Sequence, residues 1–555
     1  MRKTEISNDL KVQAIAGTYV VLLGINLPEE KCDNLLGFSV HRYDETENEQ
    51  YYIEGMKCFK ETDPGFPEGS RYSTKNHPIQ DFLWGDYSAK PNHKYTYTIT
   101  ALKGSPQNLT SFETTQVTVT TESPVSNAHE VYFNRGAAGS QEFVRRFGNN
   151  PLPKEKIAPT DPRFKWLSRG IYEALEDFIN SCDPNIHKLR IAAYEFNYAP
   201  LLKFLKETIE RGVDIEIVYD ARQSAIRKKN MKRTAEASLT PYCRERTKGA
   251  SYISHNKFIV KLENNEAVSV WSGGMNFSEN GIFGHSNVAH VFKDPEIAKK
   301  YLKYWDLLAG DPEMDDAKTD NELLTPMPDA DSISQGNTAI FSPRKNLDVL
   351  NLYREIANQA DEGFFMTFAF GINKLFKSLY RDSTCTLRFA LLEKKTRGFD
   401  QDEDELREAE EQEIQDLRNM PANIFAIGNI IRSNEFDGWL QEGLSGLATS
   451  VQYIHNKFMI IDPLSDNPIV ITGSANFSDN STTKNDENMV IIKGNTQVAD
   501  IYLGEYMRLW KHHSFRESAE WEHPDKFLKT DNWWDRYFQD TDSAARRKYF
   551  SSTQI

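Results

Sequence analysis

Nowhere in this 555-residue chain does an apolar run approach the length that crosses a membrane, about 18 residues. The start, Met1–Leu10, carries Arg2 and Lys3 but no apolar stretch behind them, and so does not read as a secretory signal. Cysteine is scarce. Cys32, Cys58, Cys182, Cys243 and Cys385 are scattered, odd in number and free of any Cys-x-x-Cys pair, which excludes a disulfide framework and a zinc-finger site. An excess of basic residues is also missing: the net charge is −15, against a chain that coats its whole surface with nucleic acid. These absences point to a reduced, cytoplasmic protein. With 39% hydrophobic and 12% aromatic residues, the chain can fill ordinary cores.

Charge is unevenly placed. Residues 222–248 hold nine Lys/Arg against Glu236 and Glu245, whereas residues 400–416 hold ten Asp/Glu against Arg407 alone. Residues 10–122 alternate apolar and polar positions in short runs, as in Tyr95–Ala101 and Gln116–Thr121, with Gly65, Pro67, Gly69 and Pro78 between them. That pattern predicts a small all-β sandwich over residues 1–125, loosely similar to a fibronectin type III module, serving as a spacer or a site for a protein partner. A first half, 126–330, follows the linker Ser123–Asn127. It alternates a helix over 163–181, a strand over 188–196, a helix over 201–211 and a strand over 213–219, which predicts a largely parallel sheet. The second half, 331–510, repeats this plan and has gained about 26 residues where the acidic segment 400–418 reads as a solvated helix. An aromatic-rich tail, 511–555, with Trp521, Trp533, Trp534, Tyr549 and Phe550, is expected to pack on the body.

One motif occurs twice. His255-Asn256-Lys257-Phe258 is answered by Gly273-Gly274-Met275-Asn276-Phe277-Ser278, and His455-Asn456-Lys457-Phe458 by Gly473-Ser474-Ala475-Asn476-Phe477-Ser478. The Lys-to-Gly interval is 16 residues in both, and the histidines stand 200 positions apart. On a strand, positions i and i+2 share a face, so each half offers an imidazole, an ammonium and an amide on one patch. Such a set suits a phosphate: cations and amide donors clamp its oxyanions, and histidine supplies a nucleophile or a proton. A metal site is disfavoured, because lysine is no ligand at neutral pH and no His/Cys/Asp cluster accompanies either copy.

The pair resembles the HKD motifs of the phospholipase D superfamily, His-x-Lys-x4-Asp followed by Gly-Ser-x-Asn, over residues 130–510. The resemblance implies an α/β fold: two pseudo-twofold-related phospholipase D-like domains meeting at one active site. It implies a phosphodiesterase working without metal or cofactor, in which one histidine forms a phosphohistidine and the other protonates the leaving oxygen. Carried onto this sequence, the catalytic set is His255, Lys257, Asn276, His455, Lys457, Ser474, Asn476 and Glu487. The second motif is complete with Asp462; the first has Leu262 at that position, Gly274 for serine and Asn287 for Glu487. Pairing each partner with the histidine of its own half would put Glu487 on His455, as the acid, and Asn287 on His255, as the nucleophile. A first half decayed into a non-catalytic scaffold is the bland alternative, weakened by the survival of both His/Lys pairs and both asparagines.

The superfamily handles phosphodiesters of nucleic acids and of lipids. Arg222, Arg227, Lys228 and Lys229 begin the basic run just after a strand end, where loops border the site of an α/β sheet. A polyanion fits there, which favours nucleic acid over phospholipid.

Overall fold

The computed structural model describes residues 1–136, 140–149, 160–249, 252–396, 404–428, 454–518 and 526–551. Trp521 and residues 400–403 of the acidic segment therefore lie outside the described residues. The N-terminal region is all-β, with two four-stranded antiparallel sheets closing on a core of Leu23, Phe38, Phe82, Tyr95 and Tyr97. Trp533, Trp534 and Tyr537 enter that same core, Trp533 lying edge-on to Phe38 at 6.3 Å. Further along, the Asp542–Ser551 helix packs on strand Val21–Asn26. Gly24 is the point of closest approach: a Cβ there would stand 1.8 Å from the Phe550 carbonyl oxygen.

Two seven-stranded sheets follow with one shared topology. In the first, the order is His129–Phe133, Val288–Phe292, Glu266–Gly273, Lys257–Glu263, His187–Ala193, Asp214–Asp220, Cys243–Arg246. In the second it is Gly336–Ser342, Glu487–Lys493, Ile469–Gly473, Phe458–Ile461, Gly363–Phe368, Leu387–Leu392, Asn423–Ile427. The sheets are mixed, not largely parallel. Only the strands linked by crossover helices run parallel, and the motif strands run antiparallel to their neighbours. The cause is local: Asn264 and Asn265 both take positive φ, closing a two-residue turn that sends Glu266–Gly273 straight back along Lys257–Glu263. The helix expected over 163–181 is two helices, Pro162–Ser168 and Ile171–Asn180. Arg169 (φ 49°) and Gly170 (φ 93°) break it, and the buried Arg169 guanidinium turns inward to Glu505 at 2.6 Å.

Each sheet has an outer core of its own, and the inner faces of both contribute to one shared core with Phe133, Phe258, Tyr301, Tyr304, Phe341, Phe458, Tyr502 and Tyr506. Phe133 meets Phe458 and Tyr502 edge-on across the halves. Burying large rings there fixes the halves against each other, at roughly 1.5–3 kcal/mol for each fully buried side chain. Among the described residues, no helix is long and apolar enough to cross a membrane.

Candidate active site

The pseudo-twofold relation appears in backbone contacts between the halves. Ser254 bridges Asp486, and Ser286 bridges Ile454, positions that exchange under the 200-residue offset. Asp486 accepts from the His255 amide at 2.9 Å and donates to the Ile253 carbonyl at 3.0 Å. Both histidines are thus held where one half's motif strand begins, against the residues that lead into the strand Val288–Phe292 or Glu487–Lys493 of the other half. Gly273 and Gly473 permit the close pairing beside them: a Cβ on either would lie 2.3 Å from the Val288 carbonyl oxygen or 2.1 Å from that of Asn488.

This crossing overturns the partner assignment within each half. His255 Nδ1 lies 2.9 Å from Glu487 Oε1, and His455 Nδ1 lies 2.9 Å from Asn287 Oδ1. Glu487 and Asn287 each open the strand beside their own motif but project across the interface, so each serves the other half's histidine. Asn287 Nδ2 donates to the Gly281 carbonyl at 2.7 Å, which leaves Oδ1 to accept from His455 Nδ1–H. Ser474 Oγ donates to Glu487 Oε2 at 2.6 Å. The change of serine to Gly274 follows from the same arrangement. The carboxylate of Glu487 has a second oxygen to satisfy; the amide of Asn287 is already spent, and a Cβ at 274 would stand 3.1 Å from its Oδ1.

Lys257 and Lys457 are buried and donate to the carbonyls of His255 and His455. Lys257 also faces the Tyr194 ring at 5.2 Å, and that ring sits edge-on to His255. His285 stacks on His455 at 4.8 Å. Asn276 Nδ2 donates to Glu195, which also accepts from Ser278, and among the described residues the buried Oδ1 atoms of Asn276 and Asn476 have no protein partner. Asp462 is on the far end of its strand, where it accepts from the amides of Asp361, Glu362 and Gly363, fastening the start of Gly363–Phe368 rather than touching the histidines.

Four bases packed together out of water resist protonation. Burial pushes the His255 imidazole down to about 4 against the upward pull of Glu487, and pushes the Lys257 ammonium down to about 7. Burial, then the neighbouring lysines, hold His455 and Lys457 well below their ordinary values. An oxyanion in the site would reverse this, because an opposite charge at contact favours the protonated bases. The sign can be tested. An unfolded imidazole holds its proton up to about pH 6.5. The folded His255 does so only below about 4, so acidification through that window penalises the folded state. Sulfate, a dianion throughout, is expected to raise the unfolding temperature more at about pH 5 than at about pH 7.5, and the Lys457→Met variant to lose that difference. Equal shifts at both pH values in the unaltered protein would contradict the arrangement.

The four basic candidates divide. Arg222 is not on the rim: its side chain is wholly buried and pairs with Asp486 at 2.7 Å, while Arg246 reaches the same carboxylate at 3.2 Å. The run reads as uniform surface in sequence, but its first member precedes the helix and is pulled inward by Asp486. Arg227, Lys228 and Lys229 are exposed on the helix Ser224–Glu236, with Arg227 paired to Glu245. Asn230 of this helix donates to the carbonyls of Tyr194 and Asp220, which binds the helix to the wall of the site.

Two carboxylates not anticipated from sequence also matter. Asp220 accepts from the Ser254 amide at 2.7 Å, and Glu393 from the Ile454 amide at 2.8 Å, each one residue before a motif histidine. Burial raises the Asp220 carboxyl to about 6. The available signal is an acidic residue directly after an apolar pair at the end of a strand in both halves, after Val218-Tyr219 and after Leu391-Leu392.

The family described as "Cardiolipin synthase, PLD-like domain" matches residues 175–308 and 404–510, segments that carry both motifs. Among solved structures, the chain is similar to a phospholipase D family member, Nuc, from Salmonella typhimurium, at 24% identity over 25% of this chain and 87% of that one, with a TM-score of 0.22. It is also similar to phosphatidylserine synthase of Haemophilus influenzae Rd KW20, at 9% identity over 62% and 85% of the two chains, with a TM-score of 0.43. Yeast tyrosyl-DNA phosphodiesterase matches at 12% identity over 57% and 84%, with a TM-score of 0.32. No curated protein sequence matches the chain. The two matched segments, each carrying one copy of the motif, are similar to the PLD-like domain that this family describes.

Proposed function

We propose that this protein is a phosphodiesterase that hydrolyses nucleic-acid phosphodiesters through a phosphohistidine on His255, without a metal. The observation that carries the reading is the crossed pair of imidazoles, one backed by a carboxylate and one by an amide, with Lys257 and Lys457 alongside. Glu487 holds Nδ1–H of His255 and so keeps the Nε2 lone pair free to attack phosphorus. The P–N bond forms as the P–O bond to the leaving group breaks, and the ring gains positive charge that Glu487 balances. His455, on a neutral amide, gives its Nε2 proton to the leaving oxygen; a carboxylate partner would make that proton harder to release. In the second step, neutral His455 takes a proton from water, the water oxygen attacks phosphorus, and the P–N bond breaks. Lys257, Lys457, Asn276 and Asn476 hold the non-bridging oxygens as charge builds.

The basic helix at the wall of the site favours a polyanionic substrate. Purified protein incubated with single- and double-stranded DNA, RNA and phospholipid vesicles, with and without EDTA, is expected to cleave nucleic acid in both conditions. Headgroup release with intact nucleic acid would favour a phospholipase, and loss of all cleavage with EDTA would sink the metal-free chemistry.

A further inference from the structure

The helices Ser224–Glu236 and Asp404–Arg418 occupy equivalent places in the two halves. Each lies between two successive parallel strands of its sheet, Asp214–Asp220 and Cys243–Arg246 in the first half, Leu387–Leu392 and Asn423–Ile427 in the second. Their charges are opposite. The first has Arg227, Lys228, Lys229, Lys232 and Arg233 against Glu236 alone; the second has seven carboxylates against Arg407 and Arg418. In the acidic helix, Glu405, Glu408 and Glu411 are exposed, while Glu410 and Glu413 are spent on Lys377. A polyanion that meets favourable potential on one flank of the site meets repulsion on the other.

A second asymmetry lies at the ends of the neighbouring strands, His187–Ala193 and Gly363–Phe368. Glu195, two residues past strand His187–Ala193, accepts from Asn276 and Ser278, whereas Phe370, the residue that the strand register places at the equivalent position, is 50% exposed. Phe370 comes three residues after Thr367, whose hydroxyl donates to the Asn456 carbonyl beside His455. The second-half flank thus offers an exposed aromatic face just past the strand that holds the Asn456 carbonyl, together with the negative charge of the acidic helix.

Building on the phosphodiesterase reading, we infer that the substrate is a single-stranded nucleic acid cleaved at its terminal phosphodiester. The chain lies along the first half by the basic helix, and the terminal nucleoside, which has no further phosphate, stacks on Phe370. Its oxygen is the leaving group, so the terminal nucleoside departs from the His455 side with that histidine's proton. The chain keeps the phosphate, first bonded to His255 and then released by water.

The test uses the full chain, a short single-stranded oligonucleotide labelled at either end, and bis(p-nitrophenyl) phosphate as a diester with no chain. The unaltered protein is expected to cleave the terminal linkage at least about 10-fold faster than internal ones. Reversing charge with Glu405→Lys and Glu408→Lys should bring the two rates together. Phe370→Ala should raise KM for the oligonucleotide about 10-fold with kcat kept, and Phe370→Trp should restore it. Equal cleavage of terminal and internal linkages, unmoved by the charge reversal, would overturn the inference while hydrolysis of the small diester left the phosphodiesterase reading intact. Headgroup release from phosphatidylcholine vesicles, with the oligonucleotide uncut, would do the same. Failure to hydrolyse the small diester or any other substrate would remove both.

Discussion

His255→Ala is expected to lower phosphodiester hydrolysis by at least about 10⁴-fold, because His255 is the imidazole with a carboxylate behind Nδ1 to balance the charge that forms when Nε2 bonds phosphorus. The loss should fall in kcat. Lys257, Lys457 and the two asparagines remain, so binding of an unreactive diester should persist. His455→Ala should behave differently. An activated ester, whose leaving group needs no proton, should still phosphorylate His255, and the intermediate should then accumulate for want of a base to activate water. A substrate panel spanning leaving-group pKa separates the two variants; identical behaviour on activated and unactivated esters would count against the division of labour.

The second large effect is expected at Glu487. Glu487→Gln keeps the shape but removes the charge that balances a phosphorylated imidazole, and kcat should fall about 10²–10³-fold. Asn287→Ala, which frees the His455 ring without removing a charge, should cost less. The pH profile distinguishes positioning from mere structural support. The carboxylate holds His255 up against the burial that pushes it down to about 4, so without it the ring should titrate lower still. The acidic limb of kcat/KM should therefore move to lower pH in Glu487→Gln even as the maximum drops. An unmoved limb with an intact unfolding temperature would deny Glu487 its part.

Much of this site was legible before any fold was known, and the reason is local. His255 and Lys257 share a strand face, and so do His455 and Lys457; the repeat of spacing made two sites of one pattern. The partner exchange was not legible. Glu487 and Asn287 are adjacent to their own motifs in sequence and in the sheet, and only the packing of one half on the other carries each side chain across. Arg222 misled for a related reason: a charge run carries no mark of which member meets a buried carboxylate. The mixed sheet was hidden in the Asn264-Asn265 turn, whose positive φ at both positions is an asparagine property the alternation of helices and strands overshadows. The opposite charges of the two crossover helices were plain as composition, but their equivalence came only with the topology.

The most direct test is to find the phosphorus. Rapid quenching of the His455→Ala variant with an activated diester, followed by peptide mass spectrometry under alkaline conditions that spare phosphohistidine, assigns the nucleophile without reference to overall rate. A single adduct is expected on the peptide bearing His255, absent when His255 is also alanine. In a matched experiment with the His255→Ala variant, an adduct on His455 would contradict that assignment, as would turnover by the unaltered protein with no phosphorylated histidine at any time.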